Sequence, residues 1–209
     1  EGEHKILQYI RNNNTKDMTN VIYGLDADLI FLALSLDHEN VYLLREADQL
    51  NQSKTDELLY VSIDKLKQCI FTEFKSLLDN SEKLSKTNVI RDFIFICYFL
   101  GNDFLPHIPS IDIKCYSRNV INGLDLLIRA YCHVYNNIEE NIILLEDDDI
   151  NYNQQFLQMF LEYLSSFEND FFVQLYNNKN KNYYKCRSND PYEREIYKIE
   201  NLKFKINNN

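Results

Sequence analysis

The stretch VIYGLDADLIFLAL, Val21 to Leu34, decides how this chain is read. Val21 to Gly24 is a short, apolar, β-prone run, and Leu29 to Leu36 continues with the spacing of a helix, so a strand feeds a helix. Two carboxylates, Asp26 and Asp28, stand at the junction. VYLLR, Val41 to Arg45, predicts a second strand. The order β-α-β predicts an α/β fold with a parallel sheet and ligands at the carboxyl ends of its strands.

On the N-terminal side, residues 3 to 14 place Ile6, Leu7, Tyr9 and Ile10 on a helical pattern that stops in an Asn run. On the other side, Gln49 to Tyr60 is polar and reads as a loop or edge. A helix is predicted from Ile63 to Leu78, with Ile63, Leu66, Ile70, Phe74 and Leu77 on one face. NSEKLSKTN reads as a linker. Val89 to Leu100 is apolar on almost every face, which predicts a helix buried on all sides, with Gly101 as its cap. Pro106 and Pro109 then break the chain into a turn. A further helix is predicted from Gly123 to Tyr135, with Leu124, Leu127, Ile128 and Tyr131 in register. After an apolar IILL, the acid run Glu146 to Asp149 reads as a solvated turn. Phe156 to Leu164 is an amphipathic helix, and the Asn-, Lys- and Tyr-rich region from Asn177 reads as a polar linker or insert.

With 209 residues, of which 45% are hydrophobic and 13% aromatic, the chain can bury one substantial core. A net charge of -10 excludes a platform that holds nucleic acid by bulk electrostatics, because phosphate neutralisation needs Lys and Arg. Five widely spread cysteines without a CxxC pair read as reduced and intracellular. No apolar run reaches the roughly 18 residues of a membrane span. No Ser/His/Asp or Cys/His signature stands out, and four glycines supply no phosphate loop. The chain opens on Glu1 inside a motif, EGE, and so reads as a piece of a longer protein.

Three acidic motifs lie beside strongly apolar elements: Glu1 and Glu3 in EGE, Asp26 and Asp28 in DAD, and Asp103 in GND. Acids two apart on an extended segment point to one side, so each pair can aim two carboxylates at one place. Like charges held that closely repel unless a cation sits between them. Oxygen ligands of this kind suit Mg²⁺ or Mn²⁺, and two such ions about 3.5–4 Å apart can activate water and steady a leaving oxygen. Each acid also has a plainer role open to it. Asp26 or Asp28 can cap a helix, Asp103 can be an ordinary loop acid, and Glu1 and Glu3 can form a solvated first turn. Asp92 is a candidate supporting residue. His4 and His107 lie near the motifs in sequence, while His38 and His133 read as surface or helix residues.

Taken in order, EGEHKILQYIR, IYGLDADLIFLAL, LLRE and DFIFICYFLGNDFLPHIPSIDI resemble the Xrn-type 5′→3′ exoribonucleases, over roughly residues 1 to 130. The resemblance implies the second half of a nuclease core related to the flap (PIN-like) nucleases, followed by a mostly helical extension. Residues 1–135 would be core, 136–175 helical extension and 176–209 linker or insert. It also implies two divalent metals, Mg²⁺ or Mn²⁺, held by Glu1, Glu3, Asp26, Asp28 and Asp103, with Asp26, Asp28 and Asp103 catalytic. The implied substrate is single-stranded RNA with a 5′-monophosphate, degraded to mononucleotides in nucleus or cytoplasm. The basic 5′-phosphate pocket and further metal aspartates would lie on sequence before Glu1, so the piece alone would be inactive. After GNDFLPH the family's REGAID-like continuation is replaced by DIKCYSRNVINGLDLL. Two other readings stand beside this one. A flap-type DNA endonuclease would follow its last aspartate with a glycine-rich hairpin, which LPHIPSIDI lacks. A nuclease-like scaffold without turnover would have no need of five retained acids.

Overall fold

The computed structural model describes residues 2–13, 17–46, 58–79, 82–111, 113, 121–146, 149–183 and 190–207. It is a mixed α/β chain, about 61% helical, in two compact units, Glu1–Phe160 and Leu161–Asn209.

The first unit is built on the β-α-β unit read from the sequence. Strand β1 (Asn20–Tyr23) leads through helix α2 (Asp28–Leu34) to β2 (Val41–Glu46), and the two strands pair in parallel from Asn20↔Val41 to Tyr23↔Leu44. A third strand, β3 (Leu58–Ser62), joins β2 antiparallel and gives the sheet order β1-β2-β3. The edge expected somewhere in residues 49–60 is thus β3, while residues 47–57 lie outside the described ones.

Because side chains alternate along a strand, the sheet has two unlike faces. On one, Ile22, Val41 and Leu43 are buried in a core with Leu29, Ala33, Leu34 and Leu36 around α2, Leu7 and Ile10 of α1 (Gly2–Asn13), and Ile63 and Ile90. The opposite face carries Val21, Tyr23, Leu58 and Tyr60, each at least half exposed, with Tyr42 and Leu44 partly covered between them.

Helix α3 (Ile63–Leu77) starts where the Ser62 hydroxyl accepts the Lys65 N–H at 3.4 Å. Of its predicted inner face, Ile63 and Phe74 are buried and Leu66 and Ile70 half-buried against the core. Leu77 departs from the expectation; it is the last helical residue and is 44% exposed. Helix α4 (Lys86–Cys97) begins inside the stretch read as a linker, with Lys86, Thr87 and Asn88 as its first turn. It is not buried on every side. Val89, Ile90, Asp92, Ile96 and Cys97 are buried, whereas Phe93, Ile94 and Phe95 are only half covered. Its continuation is a single 3-10 turn, Tyr98–Leu100, stopped by Gly101 at φ 79°.

Helix α5 (Gly123–Ile138) is capped by Asn122, whose side-chain oxygen accepts the Asp125 N–H at 2.9 Å. Strand β4 (Ile143–Glu146) then pairs antiparallel with β5 (Asp149–Tyr152), Glu146 opposite Asp149, while residues 147–148 of the acid run read as a turn lie outside the described ones. Helix α6 then runs from Gln154 to Tyr183 and α7 from Pro191 to Asn207, so the polar C-terminal composition carries helix on both sides of residues 184–189. Asp190 starts α7 by accepting the Tyr192 N–H at 2.8 Å, with proline at the first helical position. Among the described residues no helix is long and apolar enough to cross a membrane.

One buried charge ties these pieces together. Asp92 on α4 is fully buried, and its carboxylate accepts four hydrogen bonds: from the Tyr131 hydroxyl of α5 at 2.8 Å, the Asn141 side-chain amide at 2.8 Å, and the Ile142 and Ile143 N–H groups at 3.1 and 2.9 Å. Burial pushes the Asp92 acid above its ordinary range, while these four donors pull it down. The folded state therefore holds the Asp92 proton more tightly than the unfolded chain. Stability should fall as pH rises from the ordinary carboxylate range through the raised value, and Asp92→Asn should flatten that slope. Asp92→Ala strands four donors in the interior and should cost roughly 3–5 kcal/mol, read as a lower urea midpoint, with Asp92→Asn costing less.

Candidate functional site

The DAD motif does not lie on an extended segment. Gly24 still donates to Leu44 O at 3.2 Å as the last rung of the sheet, but Ala27 is already α-helical in conformation and Asp28 opens α2. The Asp26 carboxylate accepts the Asp28 backbone N–H at 3.0 Å, so it braces the turn from strand to helix. The cap position of α2 is nevertheless Ala27, which offers no side-chain cap, so Asp26 stands one residue before it and closes a local turn rather than capping the helix. EGE is corrected in the same way. Gly2 already belongs to α1, which puts Glu3, half-buried, in the first turn of a helix rather than on an extended run. Glu1 lies outside the described residues.

Asp103 reaches the site on a loop whose shape is fixed by its neighbours. Gly101 adopts positive φ, and a Cβ there would stand 2.6 Å from the His107 backbone nitrogen, so only glycine fits. The Asn102 side-chain oxygen accepts the N–H groups of Phe104 and Leu105 at 2.9 and 2.7 Å, and the Asn102 N–H donates to Leu105 O at 2.9 Å. Ile108 N–H closes the loop onto Phe99 O at 3.1 Å. Asp103 is left exposed at the tip of this turn.

Three of the five sequence-derived acids meet electrostatically. The acid of Asp28 is raised, first by burial of its carboxyl and then by the charges of Asp26 and Asp103. Two segments 75 residues apart in the chain thus bring negative charge onto one group. Asp28 is the first residue of α2, and Asp103 lies in the loop after α4. Among the described residues, no group of three or more His, Cys, Asp or Glu side chains is placed to hold one metal ion. The donor set fits a hard divalent cation in chemistry, since it is all carboxylate oxygen and its mutual repulsion is what such a cation relieves. By itself it would supply no more than part of a coordination sphere.

Arg45 and Asn102 were not singled out in the sequence. The Arg45 guanidinium, one residue past the Tyr23↔Leu44 pair, donates to Leu25 O at 2.5 Å and so holds the segment that carries Asp26. Parallel pairing is the signal that could have found it, since the residue after the last rung of β2 stands beside the turn that leaves β1. Tyr23 donates its hydroxyl to the Glu46 carboxylate nearby. His4 and His107 are both exposed.

Two family models match the chain. One, described as "XRN 5'-3' exonuclease N-terminus", covers residues 1–47, and the other, "Xrn1 helical domain", covers residues 83–208. Among curated relatives, the chain is 30% identical over 202 residues to 5′-3′ exoribonuclease 2 of Debaryomyces hansenii, across 82% of this chain and 19% of that protein. It is 32% identical over 186 residues to 5′-3′ exoribonuclease 1 of Saccharomyces cerevisiae, across 80% and 11%. It is 28% identical over 224 residues to 5′-3′ exoribonuclease 2 of the same yeast, across 93% and 20%. The chain thus spans about a fifth or less of the length of these relatives.

Because the Asp103 charge is one of the causes that raise Asp28, Asp103→Asn should lower the Asp28 pKa toward the ordinary carboxylate range without fully restoring it, since burial, the larger cause, remains. A pH titration of the aspartate carboxyl carbons by NMR reads this directly. An unchanged Asp28 would show that the loop does not deliver its charge.

Proposed function

The chain belongs to the Xrn 5′→3′ exonuclease family, and on that premise we propose that it is part of a metal-dependent enzyme that shortens 5′-monophosphorylated RNA one nucleotide at a time. The observation that carries the proposal is the match to the two Xrn family models over residues 1–47 and 83–208, and the charges of Asp26 and Asp103 that help raise the Asp28 acid support it. Asp26, Asp28 and Asp103 would be direct ligands of two Mg²⁺ or Mn²⁺ ions, with Glu3 and Glu1 completing the set. Such ions, once bound, supply an activated water and a counter-charge for the leaving 3′-oxygen.

The chain's own residues do the holding. Arg45 fixes the backbone ahead of Asp26, Asp26 fixes the start of α2, and the Gly101–Asn102 turn presents Asp103. Metal should bind more weakly as pH falls through the raised Asp28 value, because the carboxylate must give up its proton to coordinate.

The domain reading, with residues 1–135 as core, 136–175 as helical extension and 176–209 as linker or insert, belongs to the same proposal. The three-stranded sheet would be the margin of a larger PIN-like core. The apolar face with Val21, Tyr23, Leu58 and Tyr60 supports this, since sheets with parallel pairing are normally covered on both faces. The remaining half of the nuclease domain, with the 5′-phosphate pocket, would come from other parts of the longer protein, without which this piece would not turn over. Free thiols at Cys69, Cys97 and Cys132 support work inside the cell, in nucleus or cytoplasm.

The test uses the full-length protein with Mg²⁺ and two RNAs that differ only in a 5′-monophosphate or a 5′-hydroxyl. Mononucleotides released from the phosphorylated RNA alone are expected. Asp26→Ala should reduce that rate by roughly 10²–10³-fold or more, the scale of losing one placed electrostatic group, with the thermal midpoint little changed. Near-normal cleavage by Asp26→Ala would sink the metal assignment. Internal cuts in branched DNA would move the reading to flap-type nucleases.

A further inference from the structure

A cavity of about 410 Å³ opens at the other end of the β1-β2 pair from the acids. It is framed by the end of α2, the turn before β2, the start of α3 and the first two turns of α4. The strands are parallel and the acids follow the carboxyl end of β1, while the cavity borders Asn40, just before the amino end of β2. Four residues of strand, roughly 13 Å at about 3.3 Å per residue, separate the two levels.

The polar groups around this cavity divide into committed and free. Among its acids, Asp37 is held by Arg91 at 3.3 Å, and Asp64 accepts the Asn40 N–H at 2.8 Å; Glu39 is exposed. The cations Lys67 and Lys86 have no ion-pair partner within 4.0 Å among the described residues; each spends one donor on a neutral oxygen, Lys67 on Leu36 O and Lys86 on Gln68 at 3.2 Å. They are also close enough to repel, and burial together with the Lys86 charge lowers the Lys67 ammonium against the pull of Asp37 and Asp64. The Nδ1 atom of His38 is buried without a partner. Thr87 lines the wall, and Ser85 does not use its side chain to cap the first turn of α4. Formal charges around the cavity balance, three acids against Lys67, Lys86 and Arg91. But Asp37 lies on Arg91, Asp64 on the Asn40 N–H and Glu39 in solvent, so the donors left gather at Lys67, Lys86 and Thr87. A ligand that suits donors brings acceptors and negative charge.

We propose that this cavity is a binding site for a phosphate group, free or carried by a small molecule such as a mononucleotide, with Lys67, Lys86 and Thr87 as its donors. The anion would sit between the two ammoniums and relieve their repulsion, and the cavity has room for a nucleoside beside it. Arg91 and Asp37 would close one wall as an ion pair rather than ligate. The site is separate from the acids, so it offers a place for a phosphorylated product or effector to bind while RNA occupies the catalytic end. This goes beyond the proposed nuclease activity and does not require it.

The experiment is calorimetric titration of the full-length protein with inorganic phosphate in the presence of EDTA, followed by the same titration with adenosine 5′-monophosphate. Lys86→Gln is the first variant because Lys86 is exposed and can be changed without opening the core; Lys67→Gln and the double variant follow, each checked by thermal unfolding. One phosphate site in the wild type should weaken about tenfold in each single variant and vanish in the double, while Lys86→Arg retains it. RNA cleavage should be unchanged in Lys86→Gln, which separates failure here from failure of the nuclease reading. Identical isotherms for wild type and Lys86→Gln would overturn the proposal. So would binding confined to phosphate far above cellular concentration, which would mark an adventitious ion only. Tighter binding of adenosine 5′-monophosphate than of phosphate would identify a nucleotide as the source, and equal binding would leave free phosphate.

Discussion

The buried carboxylate of Asp92 is the constraint on which the first unit depends. A charge without exposure survives in a protein only when its oxygens are fully engaged. Here the engagement comes from three directions: the Tyr131 hydroxyl on α5, the Asn141 amide after it, and two successive backbone N–H groups, of Ile142 just before β4 and Ile143 at its start. Those contacts fix the separation of α4 from α5 and the point at which the hairpin leaves. Tyr131 in turn packs its ring against Phe74, Tyr135 and Phe156, so the polar knot sits inside an aromatic cluster. Tyr131 also loses acidity through burial and through the neighbouring Asp92 charge, as a phenol donating to a carboxylate should.

What this knot holds still is the helix that ends at the candidate site. Along α4, Asp92 is followed by Ile96 and Cys97 in the core, then by the 3-10 turn, Gly101 and the Asn102 turn that exposes Asp103. On the other side, the sheet places Gly24 and the Asp26 turn. The meeting of Asp26, Asp28 and Asp103 therefore rests on two independent scaffolds, a parallel strand pair and an anchored helix, packed through Leu29, Ala33 and Ile90. Neither scaffold gains stability from bringing the acids together. Like charges close to one another cost free energy, and proteins keep them where ligand binding returns it.

The covered face of the sheet and the bare one lead to a similar conclusion. Ile22, Val41 and Leu43 have a complete helical layer over them, yet the residues that alternate with them are largely apolar as well and remain open. The sequence of the two strands is that of a sheet covered on both sides. The chain spans about a fifth of the length of 5′-3′ exoribonuclease 2 of Debaryomyces hansenii and of Saccharomyces cerevisiae.

The β-α-β order, the α1, α3 and α5 helices and the family were all legible in the sequence, because alternation and 3.6-residue spacing record which side of each element is buried. The acids stood out for a different reason: carboxylates next to apolar runs are unusual, and what they do remains with the proposed function. Local pattern could not tell that DAD and EGE lie on turns and helix starts rather than on extended chain, since that choice belongs to the hydrogen bonds of Asp26 and to where α1 begins. Nor could it raise Asp92 from a supporting residue to the anchor of three elements, or find Arg45 and the cavity of Lys67 and Lys86. The sequence by itself determined the elements, their buried faces and the candidate donors, because those are properties of neighbours in the chain. Only the tertiary structure decided which distant charges meet and which are satisfied, because burial and pairing depend on groups 39 to 75 residues away, as for Tyr131 with Asp92 and Asp28 with Asp103.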